Sequence, residues 1–469
     1  MPSPSAPAPR VRRRSRLDQL ISQKECRHVT ASQDIRAEPW QTGARVRAAQ
    51  KRAVRTLAAA QIVGGVGVGV SVSIGSLLAE SVAQSETYAG LARTATTAGA
   101  AAVGVPLALL AQRRGRRFSL SAGWLAAALG GVLLVGSAVS RSIPLLIVGM
   151  LLFGIGNATN QQSRYAAADL AAPHRRAQAL SIVVWSTTIG SVIGPNLADP
   201  GAGVASVLHL PRLAGAFVLA TVCMALASVL LWVWLRPDPL LLARQHQDAD
   251  KQPESGSSSR AAQVEAAKEA GQSQTGTLRA GLRHLRHAPR AAFAFVTIVV
   301  AHTVMGAIMT MTPVSMSEDG ANLTIVGVTI SGHLLGMYAF SPIVGWLADR
   351  IGHLPTAVAG QAIFIASALL SGLSHGSVGM VMAGLFLLGL GWSFSLVAGS
   401  AMLGEATPAA LRPGVQGTTD TAMNVVAAVG AGLAGPLMDW IGFGGLNAVA
   451  AAFVLPVIVF WIFLCRRPV

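Results

Sequence analysis

Apolar stretches separated by short polar segments recur along nearly the whole chain. Each is about 20 residues long, the length that an α-helix needs to cross a hydrocarbon layer about 30 Å thick. Twelve such stretches cover residues 57–79, 89–111, 118–140, 143–167, 178–198, 213–235, 290–313, 323–347, 355–374, 376–402, 414–436 and 443–465. We therefore predict an all-α membrane protein with twelve transmembrane helices, called spans one to twelve.

The polar segments divide the chain into four parts. Residues 1–56 are rich in proline, alanine and arginine, so we predict a tail that is disordered or lies on the membrane surface. Residues 57–235 and 290–465 hold six spans each, which predicts two six-helix bundles. Residues 236–289 form a polar central loop, where 278–288 carry leucine and arginine on different faces, as is typical of an interfacial helix.

The positive charge of the chain lies almost entirely on one side of the predicted spans. A net charge of +16 is compatible with a nucleic-acid partner, but all but four of the 36 lysines and arginines fall in the tail and in one set of loops. This is the positive-inside pattern of membrane proteins. We therefore expect no nucleic-acid partner, a location in the cell membrane and two cytoplasmic termini.

Composition adds that most of the chain does not face water. Only 12% of residues are charged and the mean hydropathy is +0.53, whereas soluble domains have about 25% charged residues. The three cysteines are far apart, which predicts neither a disulfide framework nor a metal site. The phosphate-binding motif GxxxxGK[ST] is absent. We expect no enzyme activity, no cofactor and no metal.

Several sequence features recur six spans apart in the same order. Acid, proline and arginine follow each other in DLAAPHRRAQ after span four and in EATPAALRPGVQ after span ten. The loops ALLAQRRGRR and GWLADRIGHL follow spans two and eight, and the segments GSVIGPNLAD and GAGLAGPLMD lie in spans five and eleven. This repeat predicts two pseudo-symmetric halves.

The two loops resemble the signature Gly-x-x-x-Asp-Arg-x-Gly-Arg-Arg of the major facilitator superfamily. The second copy keeps four of its positions, which are Gly345, Asp349, Arg350 and Gly352. The first copy also keeps four positions, which are Arg113, Gly115, Arg116 and Arg117. The first copy departs from the signature at Ala108 and Gln112, and the second at His353 and Leu354.

This resemblance implies two six-helix bundles that rock about a central site, with a small-molecule substrate, protons as the coupling ion and surrounding membrane lipid. We also expect a monomer. In the family the loop holds the two halves together in the outward-facing state. Carried over to this chain, Asp169 at the end of span four would pair with Arg116 or its neighbours.

Span five also resembles part of the drug/proton antiporter signature Gly-x-x-x-Gly-Pro-x-x-Gly-Gly. Gly190, Gly194 and Pro195 match it, and Gly435 and Pro436 are their counterparts in span eleven. Glycine permits close helix packing and proline bends a helix, so we predict packing or hinge positions. Tight packing alone is the other interpretation.

Polar side chains inside the predicted spans are the candidates for chemistry, because they are costly in hydrocarbon. Asn157, Asn160, Gln161 and Arg164 share one face of span four. In the resembled fold spans one, four, seven and ten line the cavity, which predicts that this face binds substrate. The alternative for Arg164 is that its side chain extends to lipid phosphates.

The repeat places two further residues opposite the span-four face. Trp392 and Ser395 are therefore predicted to bind substrate, although a packed core aromatic explains Trp392 equally well.

Proton coupling has three candidates, Asp420, His302 and His333, because each is a titratable group within a span. The alternatives are an ion pair of Asp420 with Arg350 or Arg113, and a packing role for each histidine.

The leading hypothesis is a proton-coupled exporter of a small organic solute that works by alternating access. A proton-coupled importer or facilitator of an anionic metabolite is the second. A membrane receptor or scaffold that does not transport is the third.

Overall fold

The computed structural model describes residues 39–84, 87–250, 281, 283–321 and 323–466. Within this part of the chain the regular structure is helical throughout. Nine helices in the described residues are long and apolar enough to cross a membrane.

The described residues of the first half form seven α-helices. They are α1 Ala44–Ala83, α2 Thr87–Ser140, α3 Ile143–Ala168, α4 Arg176–Ile193, α5 Ala198–Val207, α6 Ala214–Trp234 and α7 Pro239–Asp250. The second half contains another seven in the described residues. They are α8 Pro289–Glu318, α9 Leu323–Leu334, α10 Ser341–Ile351, α11 His353–Gly372, α12 Val378–Glu405, α13 Arg412–Ala452 and α14 Leu455–Arg466.

Two of these helices each carry more than one predicted span. In α2 the chain turns between spans two and three at Gly115, which has φ 86°. In α13 it turns between spans eleven and twelve at Gly442, which has φ 73°. Positive φ favours glycine because a Cβ would clash with the backbone. The two turns therefore divide continuous helices into separate membrane crossings.

Two other spans are interrupted helices. Span five is formed by α4, a 3₁₀ turn at Gly194–Leu197 and α5. The α-helix ends immediately before Gly194 and Pro195, as expected from a proline that cannot donate a backbone hydrogen bond. Span eight is formed by α9, a π-helical turn at Leu335–Ala339 and α10.

Each half has its own apolar core. Trp124, Phe153 and Phe217 are buried in the core of the first half. Phe293 and Phe364 are buried in the core of the second half. The core of the second half also includes three residues of the first half, Tyr165, Ala177 and Leu180, so the two bundles are in apolar contact.

The predicted packing glycines differ between the halves. A Cβ on Gly190 would lie 2.6 Å from the carbonyl carbon of Gly65, and Gly194 packs equally closely on Gly69. A Cβ on Gly435, in contrast, would meet only the sulfur of Met311 at 3.9 Å. Span five therefore packs tightly on span one through glycines, whereas Gly435 has ordinary van der Waals space.

The prediction of an unstructured tail is wrong for the residues next to span one. Helix α1 begins at Ala44, so residues 44–56 continue span one as regular helix. They are rich in alanine, arginine, lysine and glutamine, which are strong helix formers, and Val46 and Ala53 are buried. The high content of basic residues led to the prediction of a disordered or membrane-surface tail, although the same residues favour a helix. Residues 1–38 lie outside the described residues.

The central loop also contains regular structure that the sequence did not predict. Helix α7 begins after Asp238, whose carboxylate accepts hydrogen bonds from the N–H groups of Leu240 at 3.0 Å and Leu241 at 3.1 Å. Its other oxygen accepts the N–H of Arg117 at 2.7 Å. Within the predicted interfacial helix, residues 283–287 are helical, and residues 278–280 and 282 lie outside the described part of the chain.

The loops that carry Arg116, Arg176 and Arg350 lie at one end of the bundle, here called the basic end. The two halves approach each other there through small residues. A Cβ on Gly345 of span eight would lie 2.7 Å from the Cβ of Ser181 in span five. In the symmetry-related contact, a Cβ on Gly417 of span eleven would collide with Ala108 of span two.

We expect Gly345→Ala to separate the halves, because the added methyl group would press on Ser181 and on the carbonyl oxygen of Ala177. Overpacking of this kind costs about 1–3 kcal/mol. Gly327→Ala is a matched control in the same span, since a Cβ there meets nothing within 4 Å among the described residues. Thermal unfolding in detergent should show a lower Tm for Gly345→Ala only. Equal Tm values would contradict the close contact.

Candidate functional site

A cavity of about 370 Å³ lies between the two halves, near the middle of the predicted spans. Its polar lining comes mainly from the first half, from Gln61, Asn157, Asn160, Gln161, Arg164 and Thr187. Its aromatic and sulfur-containing lining comes from the second half, from His302, Met305, Met309, Met337, Tyr338 and Trp392. The four predicted residues of span four are therefore all brought to one cavity.

The amide groups of the first half bond to one another. The side-chain nitrogen of Gln61 in span one donates to the Asn160 side-chain oxygen at 3.0 Å and to the Asn160 carbonyl oxygen at 3.2 Å. It also contacts the Thr187 hydroxyl at 3.5 Å. These contacts join spans one, four and five and fix the orientation of the polar wall.

The aromatic wall of the second half is built around Trp392. Its indole N–H donates to Nδ1 of His302 at 3.0 Å, so the proton of a neutral His302 ring is on Nε2. The ring of Tyr338 packs edge-on against Trp392 at a centroid distance of 5.6 Å. Tyr338 lies in the π-helical turn of span eight, a distortion that is frequent at functional sites.

A buried ion pair joins the halves at the cavity floor. The Nη2 group of Arg164 donates to Oδ1 of Asp420 at 2.6 Å, and the two side chains are only 4% and 1% exposed. Arg164 lines the cavity and Asp420 lies behind it. The sequence analysis gave Arg350 or Arg113 as possible partners of Asp420. That interpretation is wrong, because Asp420 pairs with the guanidinium of Arg164.

Two hydroxyl groups hold this ion pair in place. Nη2 of Arg164 also donates to the Tyr165 hydroxyl at 3.0 Å, and that hydroxyl donates to Oδ1 of Asp420 at 3.2 Å. Nε of Arg164 donates to the Ser400 hydroxyl at 3.2 Å. Within the described part of the chain, Oδ2 of Asp420 is buried without a hydrogen-bond partner. It is therefore an acceptor with room for a proton.

One helical turn nearer the cavity, two amides also link the halves. Nδ2 of Asn424 donates to the side-chain oxygen of Gln161 at 2.9 Å and to the carbonyl oxygen of Asp420 at 2.7 Å. Asn424 itself lines the cavity. A ligand that contacts Asn424 is thus one helical turn away from Asp420.

Two predicted site residues lie elsewhere. Ser395 is fully buried and accepts a hydrogen bond from Gln361 at 2.8 Å, so it faces span nine instead of the cavity. His333 is also fully buried, and its Nδ1–H donates to the carbonyl oxygen of Leu385 at 2.9 Å. The predicted substrate contact of Ser395 is therefore wrong in this structure, and His333, predicted for proton coupling, lies away from the cavity. A helix shows different faces to its bundle and to the opposite half, and Ser395 and His333 are on the bundle side.

The first loop signature forms a buried cluster at the basic end, here called the first cluster, of Arg116, Asp169 and Gln416. Nε of Arg116 donates to Asp169 at 2.9 Å, as the resemblance implied. Its Nη2 donates to the side-chain oxygen of Gln416 in span eleven at 2.6 Å. The arginine therefore connects the end of span four to the opposite half.

The second signature forms the corresponding second cluster of Asp349, His353 and Glu405. Asp349 accepts the backbone N–H groups of Ala177 at 2.9 Å and Gln178 at 2.8 Å, so it caps α4 of the opposite half. Nδ1 of His353 lies 3.0 Å from Glu405, and its Nε2 lies 3.5 Å from Asp349. His353 thus occupies the role of the missing basic residue.

The other signature residues make contacts near their own loops or form the backbone turns in them. The guanidinium of Arg117 lies over the ring of Trp232 at 4.4 Å, and that of Arg350 over Trp346 at 5.1 Å. Gly352 has φ 99° and matches Gly115, so both copies need glycine for the same turn. Arg113 belongs to the loop of the first signature copy.

Sequence reasoning missed several residues of the site, including Gln61, Tyr165 and Tyr338. Gln61 could have been found, because an amide within an apolar span is expected to be functional. Tyr165 and Tyr338 gave no such signal, since an aromatic residue in a span is ordinary core by composition. No cluster of three or more potential metal ligands occurs among the described residues.

The chain is similar to known transporters along most of its length. The sequence profile of the Major Facilitator Superfamily matches residues 57–318 and 294–469. The MFS-type transporter YdeG of Bacillus subtilis (strain 168) is 34% identical over 413 residues, 87% of this chain and 91% of YdeG. The riboflavin transporter RfnT of Brucella anthropi is 25% identical over 411 residues, 88% of this chain and 95% of RfnT.

Solved structures show the same fold. The proton:xylose symporter XylE has a TM-score of 0.67 at 17% identity, over 88% of this chain and 96% of XylE. The human organic anion transporter MFSD10 has a TM-score of 0.65 at 15% identity, over 88% of this chain and 99% of MFSD10. Two six-helix bundles, a cavity between them and two loop signatures agree with these matches. The chain belongs to the major facilitator superfamily and is a multi-pass membrane transporter of small solutes.

Proposed function

We propose that this chain is a proton-coupled transporter that takes up a small organic anion by alternating access. The observation that carries the proposal is the buried ion pair of Arg164 and Asp420, which joins the two halves at the floor of the cavity. The protein works as a monomer in the cell membrane, because one chain contains both halves of the site.

The basic end faces the cytoplasm under the positive-inside rule, so both termini are cytoplasmic. Within the described residues, the hydrogen bonds between the halves lie between the cavity floor and this end. The conformation is therefore closed to the cytoplasm, and a solute reaches the cavity from outside.

The ion pair couples a proton to an anion because Arg164 can neutralise Asp420 or a substrate. An anion that takes Arg164 leaves Asp420 as a buried, unpaired carboxylate. Breaking a buried pair in this way costs about 3–5 kcal/mol, and a buried carboxylate avoids that cost by taking up a proton. The free Oδ2 of Asp420 accepts it. Proton and anion then bind together and cross together.

The two walls of the cavity indicate the kind of anion. Amides of the first half supply hydrogen bonds along one side, and Trp392 and Tyr338 supply ring surfaces on the other. Such a cavity fits a solute with an aromatic ring and polar edge groups. The relative RfnT is named a riboflavin transporter, in keeping with an organic solute that contains rings.

Proton-coupled efflux is the second candidate. Gly190 and Gly194 match the antiporter signature and pack tightly on span one. A solute without negative charge would not compete with Asp420 for Arg164, so its binding would not favour protonation of Asp420 and uptake together with a proton would not follow. The direction of transport distinguishes this candidate from uptake.

The direction test uses proteoliposomes with the natural outer surface facing out and a panel of small aromatic carboxylates. We expect an inward proton gradient to drive accumulation of at least one member, because proton and anion bind together. Collapse of the gradient with a protonophore is the control. Accumulation in inverted vesicles whose interior is made acidic, driven by protons that leave the vesicle as the solute enters, would instead support efflux.

We expect Asp420→Asn to reduce proton-driven accumulation about tenfold or more, because the amide cannot take up a proton. Exchange of labelled for unlabelled solute, which needs no net proton movement, should continue. Asp439→Asn is the control, since Asp439 is exposed at the end of span eleven. Accumulation equal to that of the unsubstituted protein would remove Asp420 from the coupling mechanism.

We expect Trp392→Leu to raise KM about 3–10-fold, because stacking on an aromatic ring contributes about 0.5–1.5 kcal/mol. Trp392→Phe should retain most of the affinity, since it keeps a ring. Trp440→Leu is the matched control, because Trp440 is 83% exposed and away from the cavity. A KM that is the same in Trp392→Leu and in the control would show that the solute does not touch the aromatic wall.

A further inference from the structure

A second cavity lies at the basic end. It is on the periphery of the first half, away from the central cavity. Its volume is about 510 Å³, and it lies between residues 44–58 of α1 and the turn between α3 and α4. The cationic side chains along it are Arg47, Lys51, Arg55 and Arg175, with His174 beside them, and all five are exposed. None of its described lining residues is acidic. We call it the basic cleft.

The floor of the basic cleft is apolar. Leu170 and Ala171 are buried at its base, and Val54, Ala58 and Ile182 continue the apolar surface toward span one. A site for a free inorganic anion needs no such floor. Cations along the rim and an apolar base fit a molecule with a negatively charged head and a hydrocarbon chain.

The depth of the cations agrees with a lipid headgroup. Arg55, Lys51 and Arg47 precede the first residue of span one by two, six and ten positions. At about 1.5 Å per residue, they lie about 3, 9 and 15 Å from the start of the apolar span. The headgroup layer of one leaflet is about 5–7 Å thick. Arg55 and Lys51 therefore lie at or next to the depth of lipid phosphates.

We propose that the basic cleft binds the phosphate headgroup of an anionic phospholipid, with the start of its acyl chain along the apolar floor. Each lysine or arginine near the membrane surface attracts anionic lipid. Several cations around one cavity thus provide selectivity for an anionic over a zwitterionic lipid.

The position of the cleft links the lipid to closure of the basic end. Gln178 lines the cleft, and its backbone N–H is one of the two groups that Asp349 caps. A headgroup that holds the turn at His174 and Arg175 therefore steadies the segment that the second cluster binds. The bound lipid is expected to stabilise the closed form.

The experiment measures Tm of the purified full chain in a neutral detergent with added lipid. We expect phosphatidylglycerol to raise Tm by about 3 °C or more over phosphatidylcholine, because a ligand that binds the folded state stabilises it. Inorganic phosphate at the same concentration should give no such rise. Native mass spectrometry should show phosphatidylglycerol retained on the protein.

Variants of α1 locate the site. R47Q/K51Q/R55Q should lose most of the rise in Tm, whereas R45Q/R52Q, which removes two arginines of the same helix outside the cleft, should keep it. R47K/R55K retains the charge and should also keep it, which separates loss of binding from misfolding. An equal loss in R45Q/R52Q, an equal rise with phosphate, or no preference over phosphatidylcholine would each overturn the proposal.

Discussion

The ion pair between Arg164 and Asp420 is the contact on which the arrangement of the two halves depends. Its partners come from spans four and eleven, so it forms only while the basic end is closed. Desolvation of two buried charges offsets most of their attraction, whereas removal of one partner is strongly unfavourable. Such a pair adds little net stability, but it makes the closed form sensitive to anything that neutralises Asp420 or competes for Arg164.

Closure of the basic end uses two contacts that are related by symmetry but differ in chemistry. One residue of each close helix contact must be small. Span eight supplies Gly345 against Ser181, whereas span two has Ala108 and its partner helix supplies Gly417. The departure of the first copy from the family signature is thus compensated on the opposite half. In the same way Gln112 donates to the carbonyl oxygen of Ala410, where the second copy has a capping aspartate.

The sequence predicted what depends on local geometry. The apolar stretches predicted the helices. The four polar residues of span four line one cavity together because spacing along one helix defines one face. The predicted substrate contact of Ser395 was wrong because the repeat does not fix the rotation of span ten. The packing of span ten on span nine sets that rotation and turns Ser395 toward Gln361. The pairing of Arg164 with Asp420 could not be predicted either, since it joins residues from different halves and depends on their relative position.

The walls of the cavity show why the two halves cannot have separate roles. The first half supplies most of the amides and the second half supplies the rings, which taken alone would divide hydrogen bonding from stacking. Arg164, however, lines the cavity and also pairs with the acid behind it. If Asp420 carries the proton, the residue that attracts the solute is the same residue that holds the proton site ionised. Coupling then needs no signal across the protein, because one guanidinium joins the two events.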